Sequence, residues 1–216
     1  MNIIKYSFLT VLIFLVSCTN TKEDIGGSVT LLVSTNVRGQ LDPCGWKKNP
    51  LGGLSRKSTY VKQLNNEGKN VIILDAGDLI FSTKKIDAQN KNAELTRADA
   101  MLEGFNRIGG DAINVGHYEV LNGLKYLKNI SNKTDIPFIS ANLKDASTSE
   151  LIFKPYLIIN RGELKIGVAG VTNQLPDTSR SILADDYIES ANHYAELLSN
   201  QVDIVVMLVN ADRGSQ

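Results

Sequence analysis

Two short segments of this chain of 216 residues carry side chains suited to metal or proton chemistry. Leu74–Asp78 reads LDAGD at the end of an apolar run, and Asn114–Glu119 reads NVGHYE around His117. The glycine before Asp78 permits a sharp turn directly after a buried strand, which lets the carboxylate project outward. Carboxylate oxygens suit hard divalent cations, and imidazole is a common metal ligand. The carboxylate can equally accept hydrogen bonds from loop N–H groups, so the segments alone leave both roles open.

The elements that position these segments follow from the hydrophobic pattern. Near-continuous apolar runs, typical of strands buried on both faces, occur at Val29–Thr35, Asn70–Leu74, Ala112–Val115, Pro137–Ala141, Tyr156–Ile159, Lys165–Val171 and Asp203–Val209. Apolar residues at helical spacing occur at Leu54–Leu64, Ala93–Ile108 and Ile188–Leu198. Strands that alternate with helices of this length predict an α/β domain with mostly parallel strands. Asn160–Glu163, between two of the runs, predicts a hairpin turn.

Polar residues follow the first four predicted strands. In open α/β sheets the ligand crevice lies beyond the carboxyl ends of the strands, so these residues are the first candidates for a site. The segments at these positions are Asn36–Gly39, Asp75–Asp78, Gly116–Glu119 and Asn142. We therefore expect their side chains to converge on one crevice.

The N-terminal segment resembles the signal peptide of a bacterial lipoprotein. Residues 1–17 contain one charge, Lys5, and an apolar run that is too short to cross a bilayer. Small residues then lead into Cys18, as in a lipobox, which implies cleavage before Cys18 and acylation of its thiol. We expect residues 18–27 to be a lipidated cysteine and a flexible tether, and residues 28–216 to form the folded domain. The expected location is the bacterial cell envelope, with Cys18 holding the chain at the membrane and the domain facing the periplasm or the exterior.

Charge and cysteine content exclude several classes of function. Removing Lys5 with the signal peptide leaves 22 of the 23 basic side chains against 23 acidic ones, so net charge indicates no particular partner. The sequence contains no stripe of basic residues of the kind that would predict nucleic-acid binding. Once Cys18 is lipidated, Cys44 is the sole remaining thiol, which excludes an internal disulfide and a thiolate metal cluster.

The order of motifs along the chain resembles the 5'-nucleotidase branch of the calcineurin-like metallophosphoesterases. The motifs are TNxxG after the first strand, LGGLSR at Leu51–Arg56, ILDAGD, GGDAINVGxxE, FISANL, and KPY followed by GELKIGVAGVT. They run in order from about Val29 to Val209. The resemblance implies a layered α-β-β-α sandwich, C-terminally truncated relative to the family, in which two metal ions at the strand ends hold a water that attacks a phosphate.

Several family ligand positions carry other residues in this chain. The first loop of the family reads Asp-x-His, whereas this chain has Asn36 and Arg38 there. An amide oxygen can still coordinate a metal ion, but a guanidinium is always cationic and has no acceptor. The resemblance places Asp78 at the bridging carboxylate and His117 at the ligand position of the Gly-Asn-His-Glu motif. Asp78, Asn36 and His117 are therefore the candidate metal ligands, and the expected cofactor is either none or a single divalent ion of the manganese, zinc or magnesium type.

The same comparison assigns the candidate catalytic residues. Tyr118 stands where the family has the histidine that protonates the leaving group, and Glu119 follows it. The pKa of a tyrosine, ordinarily about 10, makes it a poor general acid near neutral pH. After the last predicted strand the family has a histidine, whereas this chain has Asn210-Ala211-Asp212. His193 matches no motif position, and we expect a structural role for it.

Three functions follow from these substitutions. The first is a lipid-anchored domain with the family fold and lost or impaired catalysis, in which Arg38 and Arg56 form a pocket for phosphate, nucleotide or another anion. Within this first function, an alternative role for Arg38 is a salt bridge with Asp78 in place of contact with an anion. The second is an active metal-dependent phosphoesterase that uses the reduced set of ligands. The third is a protein-interaction module at the cell surface, with Trp46 and Pro50 as exposed contacts on the Asp42–Leu51 loop.

Overall fold

The computed structural model describes residues 27–45, 51–176 and 179–212. Cys18, Trp46 and Pro50 lie outside the described residues, as do the signal peptide and most of the tether. The helices are α1 Leu54–Asn66, α2 Lys91–Arg107, α3 Gly123–Ser131 and α4 Tyr187–Ser199. The strands are β1 Thr30–Ser34, β2 Val71–Asp75, β3 Ala112–Asn114, β4 Phe138–Ile139, β5 Leu143–Asp145, β6 Tyr156–Arg161, β7 Leu164–Thr172, β8 Ile182–Ala184 and β9 Ile204–Asn210.

A parallel sheet in the order β1-β2-β3-β4 forms the first layer of strands. β2 lies inside this sheet, and four of its five residues are buried because both of its faces are covered. This is the environment that an uninterrupted apolar run predicts. All four strands point their carboxyl ends toward the same edge, which brings the loops after β1, β2 and β3 together.

A second sheet in the order β6-β7-β9 packs on the first. β6 and β7 form the predicted antiparallel hairpin, with Arg161 opposite Leu164 and Gly162 in the turn at φ 58°. β9 runs parallel to β7, which aligns their carboxyl ends. A separate two-stranded sheet joins β5 and β8.

Two apolar clusters separate the layers. Ile72 and Leu74 of β2 contact Ile166 and Val168 of β7 in the cluster between the two sheets. The other face of the first sheet packs on the helices, where α2 contributes buried apolar residues at helical spacing: Ala98, Met101, Leu102 and Phe105. α4 packs against the second sheet, so the layers follow the order α-β-β-α. The α/β class and the predominance of parallel pairing are thus confirmed.

No helix within residues 27–45, 51–176 and 179–212 combines the length and apolar character needed to cross a bilayer.

Candidate functional site

A cavity of about 770 Å³ opens where the carboxyl ends of β1, β2, β3 and β9 meet. Five residues singled out in the sequence line it, namely Asn36, Arg38, Asp78, His117 and Tyr118. The structure therefore brings together residues that follow the first three strands, as the strand-end rule predicts. Asn142, after the fourth strand, was expected to join them, but it is buried and does not line the cavity, because its amide donates to Thr172 O and Asp185 O. Its volume lies in the range of small-molecule sites.

The backbone at this end of the sheet adopts left-handed conformations at three residues other than glycine. Asn36, Arg38 and Asp78 have φ values of 53°, 51° and 62°. Such conformations are uncommon outside glycine, and they persist where the surrounding structure over-determines them. Backbone hydrogen bonds supply that constraint: the N–H of Asn36 donates to Gly77 O at 3.0 Å, and the N–H of Arg38 donates to Asp78 O at 2.8 Å.

Glu119 holds two of the loops together from behind the cavity. Its carboxylate is fully buried and accepts hydrogen bonds from the N–H groups of Asp78, Leu79, Ile80 and Gly116, at 2.7 to 3.3 Å. Burial raises the pKa of Glu119 to about 7, and the nearby Asp78 and Asp75 carboxylates add to that shift. The contacts of Glu119 are thus with backbone under the cavity, and it is absent from the cavity lining.

Asp78 reaches the cavity because glycines leave room beside it. A Cβ on Gly116 would lie 2.7 Å from Asp78 Oδ1, and Gly77 has φ 107°. Oδ1 of Asp78 accepts the N–H of Tyr118 at 3.0 Å. The structure therefore shows the second of the two roles raised from the sequence, because the carboxylate accepts a hydrogen bond from loop backbone, and the same residue lines the cavity.

His117 lines the cavity and has one buried ring nitrogen that is unpaired among the described residues. Its backbone N–H donates to Asn210 Oδ1 at 3.2 Å, which fixes the loop against the end of β9. Its side-chain Nδ1 is buried and has no hydrogen-bond partner among the described residues. A buried polar atom without a partner is costly, so this nitrogen is an unfavourable feature of the loop as it stands.

Arg38 lies between Asn36 and Tyr118. Its Nη2 donates to Asn36 Oδ1 at 3.4 Å, and its guanidinium carbon is 5.0 Å from the centre of the Tyr118 ring. This distance is within the range of a cation–π contact. No ion pair joins Arg38 to Asp78 within the described ranges. Arg56, in contrast, is exposed on α1 and lines a separate groove.

Within residues 27–45, 51–176 and 179–212, no group of three or more His, Cys, Asp and Glu side chains is placed to hold a metal ion. The oxygen and nitrogen donors that face the cavity from the predicted set are Asp78, Asn36 and His117. The amide oxygen of Asn36 is the one that accepts the hydrogen bond from Arg38.

Seven of the twelve described lining residues were not predicted as site residues: Thr35, Lys84, Gln174, Val209, Asn210, Ala211 and Asp212. Asn210 ends β9, and the strand-end rule applied to the last strand would have found it. Gln174 follows β7 in the same way, and its amide donates to Asp212. Lys84 lies in the loop between β2 and α2, where no sequence signal indicates that it turns toward the cavity.

Sequence comparison relates the chain to bacterial nucleotidases. It is 35% identical over 132 residues to Protein UshA of Salmonella pullorum, and 30% identical over 132 residues to a 5'-nucleotidase of Vibrio parahaemolyticus. Each match covers 59% of this chain and 22% of the relative, so the chain spans about a fifth of the length of these proteins. No family model matches the sequence.

Comparison of folds finds similar structures among bacterial phosphoesterases. The 5'-nucleotidase precursor of Thermus thermophilus superposes with a TM-score of 0.71 over 87% of this chain and 38% of that structure, at 23% identity. The calcineurin-like phosphoesterase YfkN of Bacillus subtilis gives a TM-score of 0.63 over 84% of this chain and 61% of that structure, at 21% identity. The chain thus has the fold of these phosphoesterases and is homologous to part of the 5'-nucleotidases, as the motif order predicted.

Proposed function

We propose that this chain, a relative of the 5'-nucleotidases, binds a phosphate-bearing anion in the strand-end cavity and has lost or impaired metal-dependent hydrolysis. The proposed ligand is a nucleotide or inorganic phosphate. The observation that carries the proposal is the guanidinium of Arg38, which lines the cavity between Asn36 and Tyr118.

The position of Arg38 suits a phosphate. A guanidinium offers five N–H donors in a planar fork, and the hydrogen bond to Asn36 uses one of them. The fork matches two phosphate oxygens, which makes such contacts stronger than those of neutral donors. The contact with the Tyr118 ring positions the guanidinium, and the constrained backbone positions the base of the side chain.

The other lining residues support anion binding at the same place. Lys84 adds a second cation to the cavity, and the side-chain amides of Asn210 and Gln174 add neutral hydrogen-bonding groups. Asp78 and Asp212 also line the cavity and oppose a negatively charged ligand. The proposal therefore depends on direct contact with Arg38 rather than on the net charge of the cavity.

The donors present do not fit a two-metal centre. Two cations about 4 Å apart need several carboxylate and imidazole ligands to offset their charge. Among the described lining residues, the family positions supply Asp78, Asn36 and His117, and a permanent cation lies against the Asn36 oxygen. These residues would hold at most one ion, which would polarise a bound phosphate.

A metal-dependent phosphoesterase with such a single ion is the second candidate function. The convergence of Asp78, Asn36 and His117 on one cavity favours it, because carboxylate and amide oxygens and imidazole nitrogens all serve as metal ligands. In this alternative Asp78, Asn36 and His117 are the ligands, Tyr118 hydrogen-bonds the phosphate, and Glu119 positions the loops that carry Asp78 and His117.

Calorimetric titration with AMP and with inorganic phosphate tests the leading function. We expect Arg38→Ala to weaken binding at least tenfold, because a charge-assisted hydrogen bond contributes about 1.5–3 kcal/mol. Arg107→Ala, which removes the same charge from an exposed position on α2, is the matched control and should leave affinity unchanged. Equal affinity of the wild type and Arg38→Ala would eliminate the Arg38 pocket.

The two functions are separated by assaying phosphate release from AMP with manganese or zinc. The leading function predicts no more release from the wild type than from Asp78→Asn. Release that is abolished both by a chelator and by Asp78→Asn would establish the phosphoesterase and refute the loss of catalysis.

We also propose that the chain is anchored by lipid at Cys18, with the domain on the outer side of the membrane. The support is the sequence before Cys18, in which a short apolar run ends in small residues. Metabolic labelling with a radioactive fatty acid should mark the wild type and not Cys18→Ala. A labelled Cys18→Ala variant, or an unlabelled wild type, would disprove the anchor.

A further inference from the structure

A second groove of about 560 Å³ runs between the edge strand β1 and the helices α1 and α2. Its walls are mainly apolar, with Leu32 and Val33 from β1 and Met101 and Phe105 from α2. Leu51 completes the apolar rim. The groove shares Thr35 and Asn36 with the strand-end cavity, but Arg38, Asp78 and His117 do not line it.

Large apolar side chains remain exposed around this groove. Val33, Leu51 and Tyr60 line the groove and have 48%, 64% and 49% of their surface exposed. These three are among the eight exposed large hydrophobic residues in the described part of the chain. Apolar exposure concentrated at one concave site, rather than scattered, is typical of a ligand-binding surface.

A lysine ammonium group lies at the inner end of the groove. Lys57 Nζ donates to Ser34 Oγ at 2.7 Å and lies 4.4 Å from the centre of the Phe105 ring. Ser34 Oγ in turn donates to Asp75 Oδ2 at 2.6 Å, so the nearest buried carboxylate is separated from the ammonium by a hydroxyl. An ammonium has three N–H donors, and the contact with Ser34 uses one.

The charge of Lys57 is incompletely compensated. Burial lowers its pKa to about 8, and this effect outweighs the opposing attraction of Asp75. Arg56 also lines the groove, and none of the described lining residues is a carboxylate. An anion brought by a ligand would therefore relieve the cost of burying the ammonium.

We propose that this groove binds an amphiphilic carboxylate, a molecule whose apolar chain covers Val33, Leu51 and Tyr60 while its carboxylate accepts hydrogen bonds from Lys57. The site adjoins the proposed phosphate site, with which it shares Thr35 and Asn36, but its cation is Lys57 instead of Arg38 and its ligand belongs to another chemical class. A second copy of the chain fits less well, because a twofold interface presents the same lining residues from both copies, and the described lining contains no carboxylate to meet Lys57.

Titration with decanoate, with decanol and with acetate tests both parts of the ligand. We expect decanoate to bind at least tenfold more tightly than decanol, which lacks the charge, and than acetate, which lacks the chain. Decanol binding as tightly as decanoate would refute the role of the ammonium. Acetate binding as tightly as decanoate would refute the role of the apolar walls.

Variants locate the site. Lys57→Met should weaken decanoate binding at least tenfold, whereas Lys62→Met, at an exposed position of the same helix, should not change it. Tyr60→Ser alters an exposed wall residue without disturbing the core, and we expect it to weaken binding severalfold even if Lys57→Met proves unstable.

Arg38→Ala should bind decanoate normally, whatever its effect on phosphate binding. Unchanged binding in both Lys57→Met and Tyr60→Ser, or loss of binding in Arg38→Ala, would overturn the proposal.

Discussion

Asp75 is a buried carboxylate whose ionisation should govern part of the pH dependence of stability. It is fully buried beside Ser34, and burial raises its pKa from 3.8 to about 6 despite hydrogen bonds from Ser34 and Gly77. A group with a raised pKa in the folded state binds its proton more tightly there than in the unfolded chain. Its contribution to stability is therefore complete below about pH 4 and is lost as pH rises through about 6.

We predict that the free energy of unfolding falls by about 3 kcal/mol through Asp75 over this interval, since one pKa unit corresponds to 1.36 kcal/mol. The asparagine side chain in Asp75→Asn cannot ionise, so the free energy of unfolding of this variant should fall less over the same pH interval. Urea denaturation between pH 4 and 8 measures the effect, with the exposed Asp135→Asn as the control. The same pH dependence in Asp75→Asn and the wild type would show that Asp75 titrates normally.

At the scale of residues, the sequence predicted which side chains would meet but not how each would be oriented. The rule that strand ends converge placed Asn36, Asp78 and His117 in one cavity, as the structure shows. The same rule does not reveal that the Glu119 carboxylate turns inward, because that orientation depends on four backbone N–H groups from two loops. Nor does it show that Arg56 faces another groove, since the direction of α1 is set by tertiary packing.

At the scale of elements, long periodic segments were predicted well and short ones were missed. The three expected helices correspond to α1, α2 and α4, each with bounds within a few residues of the apolar pattern. The fourth helix, α3, was not predicted. It has only nine residues and begins at Gly123, a poor helix former, so its local signal is weak.

The paired strands β5 and β8 were also not predicted. Each has three residues, and the register joins Leu143 to Ala184 across a long stretch of chain. Pairing of this kind gains its stability from contacts that local pattern does not encode. The hairpin of β6 and β7 was predicted because its turn residues are adjacent in sequence.

At the scale of the whole molecule, Arg161 connects the two sheets. It lies at the end of β6, and its Nε donates to Val71 O of β2 at 3.0 Å. Its Nη2 pairs with the Asp111 carboxylate, whose other oxygen accepts the N–H of Ile73 at 2.8 Å. One guanidinium and one carboxylate thus join β6 to the strand at the centre of the first sheet.

We predict that Arg161→Met lowers the free energy of unfolding by about 1–2 kcal/mol, because it leaves Asp111 unpaired and Val71 O without that donor. The partial exposure of the pair keeps the effect below that of a fully buried ion pair. Denaturation of Arg161→Met, Asp111→Asn and the double variant gives the coupling energy between them. Strictly additive effects would mean that the two side chains act independently.

The hydrogen bonds that continue from β1 and β2 into the following loops, including those from Arg38 to Asp78 and from Gly39 to Leu79, give the cavity a wall with the rigidity of a sheet. Such a wall is preorganised, so binding of a ligand should cost little conformational entropy for ordering the protein. Selectivity among ligands should then depend mainly on how well their shape and charge match this wall.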